Sequence, residues 1–202
     1  MNRSGMTLLE VMVASALLTV ALGVIFALAT SVSEGAGVHE GKLTAYDEAR
    51  RGVQVLVREL RQSAASTLSA LPAGEITYQM AVDADGNGIA VDVGCDLELS
   101  GPRTISRDEE DANDDGLTVD QLVLVDGDTV RVLANSLIED EDINENGVLD
   151  ADEDVNENGK LDHGVWFEPW GDGLRVSVQT LRRTQRGHPL PADLNEFVIP
   201  RN

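Results

Sequence analysis

The sequence predicts an α+β protein in which one long N-terminal helix packs on an antiparallel β-sheet that carries an acidic insertion. Three observations support this fold class. Residues 11–33 contain no charged side chain, residues 44–66 show one-sided helical periodicity, and residues 76–202 contain short β-type runs between turn residues. A helix followed by strands, without alternation of the two, is typical of the α+β class.

The uncharged run is long enough to cross a membrane. As a helix rising about 1.5 Å per residue, the 23 positions from 11 to 33 span about 34 Å, and the hydrocarbon core of a bilayer is about 30 Å thick. One acid, Glu10, stands at the entrance of this run. Because an ionisable side chain is costly at the edge of a membrane span, we expect Glu10 to have a partner and a function.

The entry to this helix carries a specific motif. Arg3 lies in a short polar leader, and Gly5-Met6 is followed by Thr-Leu-Leu-Glu10 and an apolar run. This stretch resembles the class III signal of type IV prepilins and type II secretion pseudopilins, with Met6 where phenylalanine is commoner. The resemblance implies that prepilin peptidase cuts after Gly5 and methylates Met6. It also implies that Glu10 acts in assembly, paired with the amine of a neighbouring subunit.

This resemblance predicts the organisation of the chain. We expect a leader at 1–5, a transmembrane or filament-core helix at 6–33, and a soluble pilin-like domain at 34–202, outside the cytoplasm and anchored in the inner membrane. A secretory signal peptide and a plain signal anchor are the alternatives. An acid does not normally open the apolar region of a signal peptide, and an anchor does not explain the Gly-Met-Thr-Leu-Leu-Glu entry.

The second helical segment is amphipathic. Its apolar positions recur at spacings of three and four residues: Ala49, Val53, Leu56, Leu60 and Ala64. The glycine-rich stretch 34–41 before it predicts a place where the helix loosens or bends. The apolar stripe requires a sheet to pack against.

The sheet is predicted from short runs of alternating or β-branched residues. The expected strands are 76–82, 89–93, 122–125, 128–132, 174–181 and 196–199. The Asp126-Gly127 pair predicts a hairpin turn. Cys95, the single cysteine, is expected to be a small buried side chain. The C-terminal Ile-Pro-Arg-Asn and the Arg-Glu-Leu-Arg at 58–61 are also similar, more weakly, to W-type minor pilins and J-type pseudopilins.

Charge narrows the possible partners. The formal net charge is −21, and residues 83–162 hold 25 of the 36 acids but only four basic residues. Such a surface repels nucleic acid and anionic lipid head groups, and it attracts divalent cations. Nucleic-acid binding is therefore not expected.

The acids include a tandem repeat with a period of twelve residues, which lies within residues 140–165. The first unit places oxygen ligands at positions 1, 3, 5, 9 and 12, a glycine at position 6 and a backbone carbonyl at position 7, as in a calcium-binding EF-hand loop. These ligands are Asp142, Asn144, Asn146, the Val148 carbonyl, Asp150 and Glu153. The unit predicts one well-bound Ca²⁺.

The second unit predicts a weaker Ca²⁺ site. Its ligands are Asp154, Asn156, Asn158, the Lys160 carbonyl and Asp162. Position 12 is Val165, so the bidentate carboxylate is missing or comes from elsewhere. The loops resemble those of dockerins and thrombospondin type 3 repeats, and a solvated acidic loop without metal is the alternative. Two partial copies that begin at Asp83 and Asp111 predict turns rather than complete sites.

No set of residues typical of catalysis is present, so an enzyme is not expected. Trp166, Phe167 and Trp170 suggest core or interface anchors rather than a ligand cage. Two function classes remain: a minor pilin or pseudopilin of a type II secretion pseudopilus or type IV pilus, and a membrane-anchored calcium-binding surface protein or adhesin outside any filament. Gly5 and Glu10 favour the first class, because an anchor requires neither residue.

Overall fold

The computed structural model describes residues 7–69, 71, 73–92, 94–108, 111, 116, 121–143, 147–150, 152–154, 156, 158–184 and 186–200. Helix α1 runs from Leu8 to Leu60. The chain divides into two compact units, residues 1–40 and residues 41–202. The glycine-rich stretch 34–41 is helical throughout, although a loosening was predicted there. The helix ends before the predicted limit of 66, and Ser63 and Ala64 instead pair with the backbone of Met80 and Gln79.

The first sheet is antiparallel and has the strand order β1-β2-β3-β4. Its strands are β1 Ile76–Tyr78, β2 Arg103–Arg107, β3 Leu122–Asp126 and β4 Thr129–Ala134. The predicted hairpin between β3 and β4 is confirmed, and Asp126 pairs with Thr129. The loop residues are Gly127 and Asp128, and the positive φ of +59° at Gly127 meets the demand of a type II′ turn at its first central residue.

The second sheet is also antiparallel and has the order β5-β6-β7. Its strands are β5 Val165–Trp170, β6 Gly173–Arg183 and β7 Pro189–Val198. The predicted strand 174–181 forms most of β6, whose even-numbered residues from 174 to 180 are buried. The predicted strand 196–199 is the end of the much longer β7.

The second half of α1 packs where the two sheets meet. The predicted apolar stripe is buried, since Ala49, Val53, Leu56 and Leu60 all belong to the core. Gly52 permits the close approach, because a Cβ there would lie 3.0 Å from Ala134 Cβ of β4 and 3.5 Å from Val178 Cγ1 of β6. The helix therefore contacts both sheets within one turn.

A buried acid also joins α1 to the first sheet. Glu59 lies 2.6 Å from Arg131 Nη2 on β4 and 3.6 Å from Arg103 Nη1 on β2. Arg103 in turn lies 2.6 Å from Asp126 Oδ2. Glu59 is nearly buried, so these guanidinium groups offset the cost of its desolvation. The Glu59 charge, together with burial, raises the pKa of the neighbouring Tyr78 to about 12, with burial the larger cause.

Two further expectations were wrong for the described residues, and two strands were missed. The segment 89–92 is not a strand, since only Val91 forms an isolated bridge, to Leu97, and Ile89 is exposed. Cys95 is exposed rather than buried, and it stands in a tight turn with φ +67°. Strands β2 and β5 were not predicted at all.

Candidate metal centre and N-terminal segment

Thr7 and Glu10 form a capping box at the start of α1. The Glu10 Oε2 atom accepts hydrogen bonds from the Thr7 backbone N–H at 2.8 Å and from Thr7 Oγ1 at 3.1 Å. The Glu10 N–H donates to Thr7 Oγ1 at 3.3 Å. This reciprocal pair satisfies donors that a helix N-terminus otherwise leaves without partners. Sequence reasoning missed this role, although Thr-x-x-Glu before an apolar run is its signature.

The first unit of the chain exposes its apolar side chains. Large aliphatic and aromatic residues between Leu8 and Val32 are all more than half exposed. The helix is long and apolar enough to cross a membrane by length and composition. Such a surface needs lipid or neighbouring helices to cover it. The predicted processing residues Gly5 and Met6 lie outside the described residues.

The acidic segment 139–162 is a loop, and the residues on its two sides both hydrogen-bond to one residue of β6, Gln179. The Ile138 N–H donates to the Gln179 carbonyl at 3.0 Å, and the Gln179 N–H donates to the Gly164 carbonyl. The segment is therefore a long loop whose two ends are held next to each other on β6.

The side chains of Arg107 and Gln179 add hydrogen bonds at the two ends of the acidic segment. Arg107 Nη2 donates to the carbonyls of Ile138 and His163, at 2.5 and 3.0 Å. The Gln179 Oε1 atom accepts from the N–H groups of His163 and Gly164, and its Nε2 donates to Asp162 Oδ1. Gln179 thus orients a predicted metal ligand from the sheet, as residues that hydrogen-bond to metal ligands commonly do.

The glycines of both repeats take the conformation that the loop requires. Gly147 and Gly159 have φ values of +72° and +70°. The Gly147 N–H donates to Asp142 Oδ2 at 2.9 Å, and the Gly159 N–H donates to Asp154 Oδ2 at 2.9 Å. Position 6 therefore bonds back to position 1 in both units, as a calcium-binding loop requires.

Near the end of the first loop, Asp150 and Glu153 are joined by hydrogen bonds. The Asp150 N–H donates to Glu153 Oε2 at 3.1 Å, and the Glu153 N–H donates to the Asp150 carbonyl. Glu153 is buried, whereas the Val148 side chain is exposed. Asn144 and Asn146 lie outside the described residues, so their predicted role as ligands stays a prediction.

In the second loop, the structure brings predicted ligands into contact. Asp162 Oδ2 accepts from Asn156 Nδ2 at 2.7 Å and from Asn158 Nδ2 at 2.6 Å. The Asn158 N–H donates to Asp154 Oδ1 at 3.0 Å, and the Lys160 N–H donates to Asn158 Oδ1. Val165, at position 12, is a buried residue of β5 and offers no oxygen from its side chain.

Glu141 belongs to this cluster, although it precedes the repeat and was not predicted as a site residue. It is fully buried. Its Oε1 accepts from Asn156 Nδ2 at 3.2 Å, and its Oε2 accepts from the Asp162 N–H at 3.1 Å. The only signal in the sequence was its acidic character, because its position fits neither unit of the repeat.

A histidine–aspartate pair, His163 and Asp140, lies at the edge of the cluster. His163 Nδ1 lies 2.9 Å from Asp140 Oδ1, and the His163 ring stacks on Trp166 with centroids 4.2 Å apart. Burial of the Asp140 carboxyl opposes its ionisation, but hydrogen bonds from His163 and the Asp142 N–H outweigh burial and lower its pKa. Phe167 is a core residue as predicted, and Trp170 is exposed under Arg175.

The partial copies adopt the same turn. The Gly88 N–H donates to Asp83 Oδ2 at 2.8 Å, and the Gly116 N–H donates to Asp111 Oδ2 at 3.0 Å. Carboxylate oxygens of Asp83, Asp85 and Glu98 lie within 4.8 Å of one another. These acids are largely exposed, so the copies are turns, as predicted, with an acidic cluster at the first of them.

Comparison with known families identifies the N-terminus. Residues 1–26 match the family model of the prokaryotic N-terminal methylation motif. No curated protein and no solved structure gives a significant match to this chain.

The motif implies processing by prepilin peptidase and assembly with other pilin subunits, and pilin-like families supply structural subunits rather than enzymes. With the apolar N-terminal helix, it indicates a single-pass membrane-anchored protein whose soluble domain lies outside the cytoplasm. This motif, on a long N-terminal helix followed by antiparallel sheets, supports a type IV pilin-like protein.

Proposed function

We propose that this protein is a minor pilin or pseudopilin of the inner membrane that prepilin peptidase processes and that then assembles into a type II secretion pseudopilus or a type IV pilus. The N-terminal methylation motif carries the proposal. It includes the start of α1, whose large apolar residues are exposed along the first unit. In a filament, neighbouring helices of the same kind would cover this surface.

Glu10 supports assembly rather than anchoring alone. A membrane anchor does not require an acid at the start of its span, and the charge opposes insertion. In a filament core, the same carboxylate gains a counter-charge from the methylated amine of a neighbouring subunit. The capping box holds the carboxylate at the helix N-terminus, near the end of the chain that processing creates.

We further propose that Ca²⁺ binds the acidic segment 139–162 and stabilises it. Eleven carboxylates lie in this segment, and their mutual repulsion opposes the compact form. The turn shared by the two units and the contacts among Asp162, Asn156 and Asn158 support oxygen ligation of a cation. Because the base of the segment is fixed on β6, an ordered segment also secures the start of β5.

Cofractionation tests the filament role. Filaments sheared from cells that express the chain and its machinery should contain the mature protein, detected by mass spectrometry. Membranes of the same cells should contain the remainder. A chain that is processed but absent from filaments, while present and exposed at the surface, would favour the anchored surface protein or adhesin instead.

A further inference from the structure

We propose that the second loop is a complete calcium site, and that Glu141 supplies the bidentate carboxylate that Val165 cannot provide. This inference rests on the proposed binding of Ca²⁺ by the acidic segment. It assigns a ligand from outside the twelve-residue repeat. It also gives the second loop as full a set of ligands as the first, whereas the sequence alone predicted a weaker site there.

Glu141 lies where the missing ligand belongs. Its side chain is fully buried, and its Oε1 atom is 3.2 Å from Asn156 Nδ2. The same Nδ2 atom is 2.7 Å from Asp162 Oδ2. Two carboxylates from opposite ends of the segment therefore converge on one amide group. Such a pair is costly to bury unless a positive charge lies between its members.

The Asn156 amide shows what the cluster lacks. Asn156 is 4% exposed, and its Oδ1 atom is buried without a hydrogen-bond partner among the described residues. Turning the amide over would not solve this, because the oxygen would then face the carboxylates of Glu141 and Asp162. A cation placed among the three groups balances both carboxylates, and with the amide turned over its oxygen becomes a ligand.

The ligand set then matches the demand of Ca²⁺. One oxygen comes from each of the five predicted groups, and two come from Glu141. The five predicted groups are Asp154, Asn156, Asn158, the Lys160 carbonyl and Asp162. Calcium takes six to eight oxygens, and a bidentate carboxylate normally completes such a loop. Mg²⁺ requires a smaller octahedral shell, so the site selects Ca²⁺.

The backbone already holds Glu141 in place. The Glu141 N–H donates to the Asp162 carbonyl at 2.9 Å, and the Asp162 N–H returns to Glu141 Oε2 at 3.1 Å. Gln179 fixes the other oxygen of Asp162 from β6. A cation bound here therefore joins the beginning and the end of the segment 139–162 close to its fixed base.

Calorimetric titration of the full-length protein in detergent, with CaCl₂ after removal of metals by chelation, tests the assignment. We expect two binding events in the wild type. Glu141→Gln should weaken one of them by at least about a hundredfold, since loss of a residue that only hydrogen-bonds to a metal ligand already costs about 10–100-fold in affinity. Glu139→Gln is the matched control, because it removes the same charge from an exposed residue two positions earlier. It should leave both events within about threefold of wild type.

A thermal melt of each variant separates ligation from packing. If Glu141 acts as a ligand, Ca²⁺ should raise the midpoint of Glu141→Gln less than that of wild type, while the midpoints in chelator remain close. Equal loss in Ca²⁺ and in chelator, with both binding events intact, would overturn the inference. Glu141→Asp, which keeps the charge but shortens the reach, should also weaken one event. Failure of the wild type to bind Ca²⁺ at all would instead reject the proposed calcium function.

Discussion

Arg107 Nη2 donates a hydrogen bond to the carbonyl oxygen of His163 at 3.0 Å. This contact joins β2 of the first sheet to the residue at which the acidic segment ends. The same nitrogen also reaches the Ile138 carbonyl, where the segment begins. The Arg107 guanidinium thus binds the residues on both sides of the acidic segment. Gly164 leaves room for this guanidinium, because a Cβ at position 164 would lie 2.3 Å from Arg107 Nη2.

Replacement of this guanidinium should loosen the segment. Arg107→Met leaves two carbonyls without their charged donor, which we expect to lower the free energy of unfolding by about 2 kcal/mol. Urea denaturation followed by circular dichroism measures this change. Arg61→Met, at an exposed position, is the control and should change stability by less than about 0.5 kcal/mol. Equal effects of the two substitutions would contradict the role given to Arg107.

Calcium should stabilise the folded protein. A ligand that binds only the folded state adds about 2.7 kcal/mol at a hundredfold excess over its dissociation constant. Thermal melts should therefore rise with Ca²⁺ and much less with Mg²⁺. The double variant with Asp142→Ala and Glu153→Ala should lose the stabilisation by Ca²⁺ that comes from the first loop. Adding Asp154→Ala and Asp162→Ala should remove the stabilisation that remains. A wild-type melt that a chelator leaves unchanged would show that the loops are only an acidic surface.

The charge of Glu10 can be separated from its role as a cap. Glu10→Gln keeps the capping box, since glutamine also serves at that position, but it removes the charge. Thr7→Ala removes the cap and keeps the charge. We expect Glu10→Gln and Glu10→Ala to be cleaved and inserted but to enter filaments poorly, whereas Thr7→Ala should assemble. Immunoblots of sheared filaments and membranes measure this, and normal assembly of Glu10→Gln would count against charge pairing.

Gly52 should be intolerant of large side chains. Gly52→Leu forces atoms between α1 and the residues Ala134 and Val178, which we expect to cost about 1–3 kcal/mol of unfolding free energy. Gly37→Leu, where a Cβ meets nothing within 4 Å, is the matched control and should not destabilise the helix. If both variants melt at the wild-type temperature, the close packing of α1 on the two sheets is wrong.

Periodic patterns were the predictable part of the fold. The stripe from Ala49 to Leu60 and the alternation along β6 each state which face is buried. Strand β2 has a single buried apolar residue, Ile105, and its arginines are used for contacts that only the folded chain creates. Strand β5 contains Pro169, which argues against a strand but is tolerated at the edge of the second sheet.

The candidate metal site likewise has a part that the sequence pattern predicted and a part that it did not. The glycines and first-position aspartates of the loops follow from a fixed spacing, and the structure confirms their turn. Glu141 has no position in that spacing, because a backbone pairing with Asp162 brings it to the cluster. The exposure of Cys95 likewise depends on a turn that its neighbours impose.

Mass spectrometry of the mature N-terminus tests the central claim most directly. The protein isolated from membranes and filaments should begin at N-methyl-Met6, and Gly5→Ala should accumulate as the precursor that begins at Met1. A wild-type chain that begins at Met1, or one cut near Thr30 as a secreted protein would be, would contradict its assignment as a processed filament subunit.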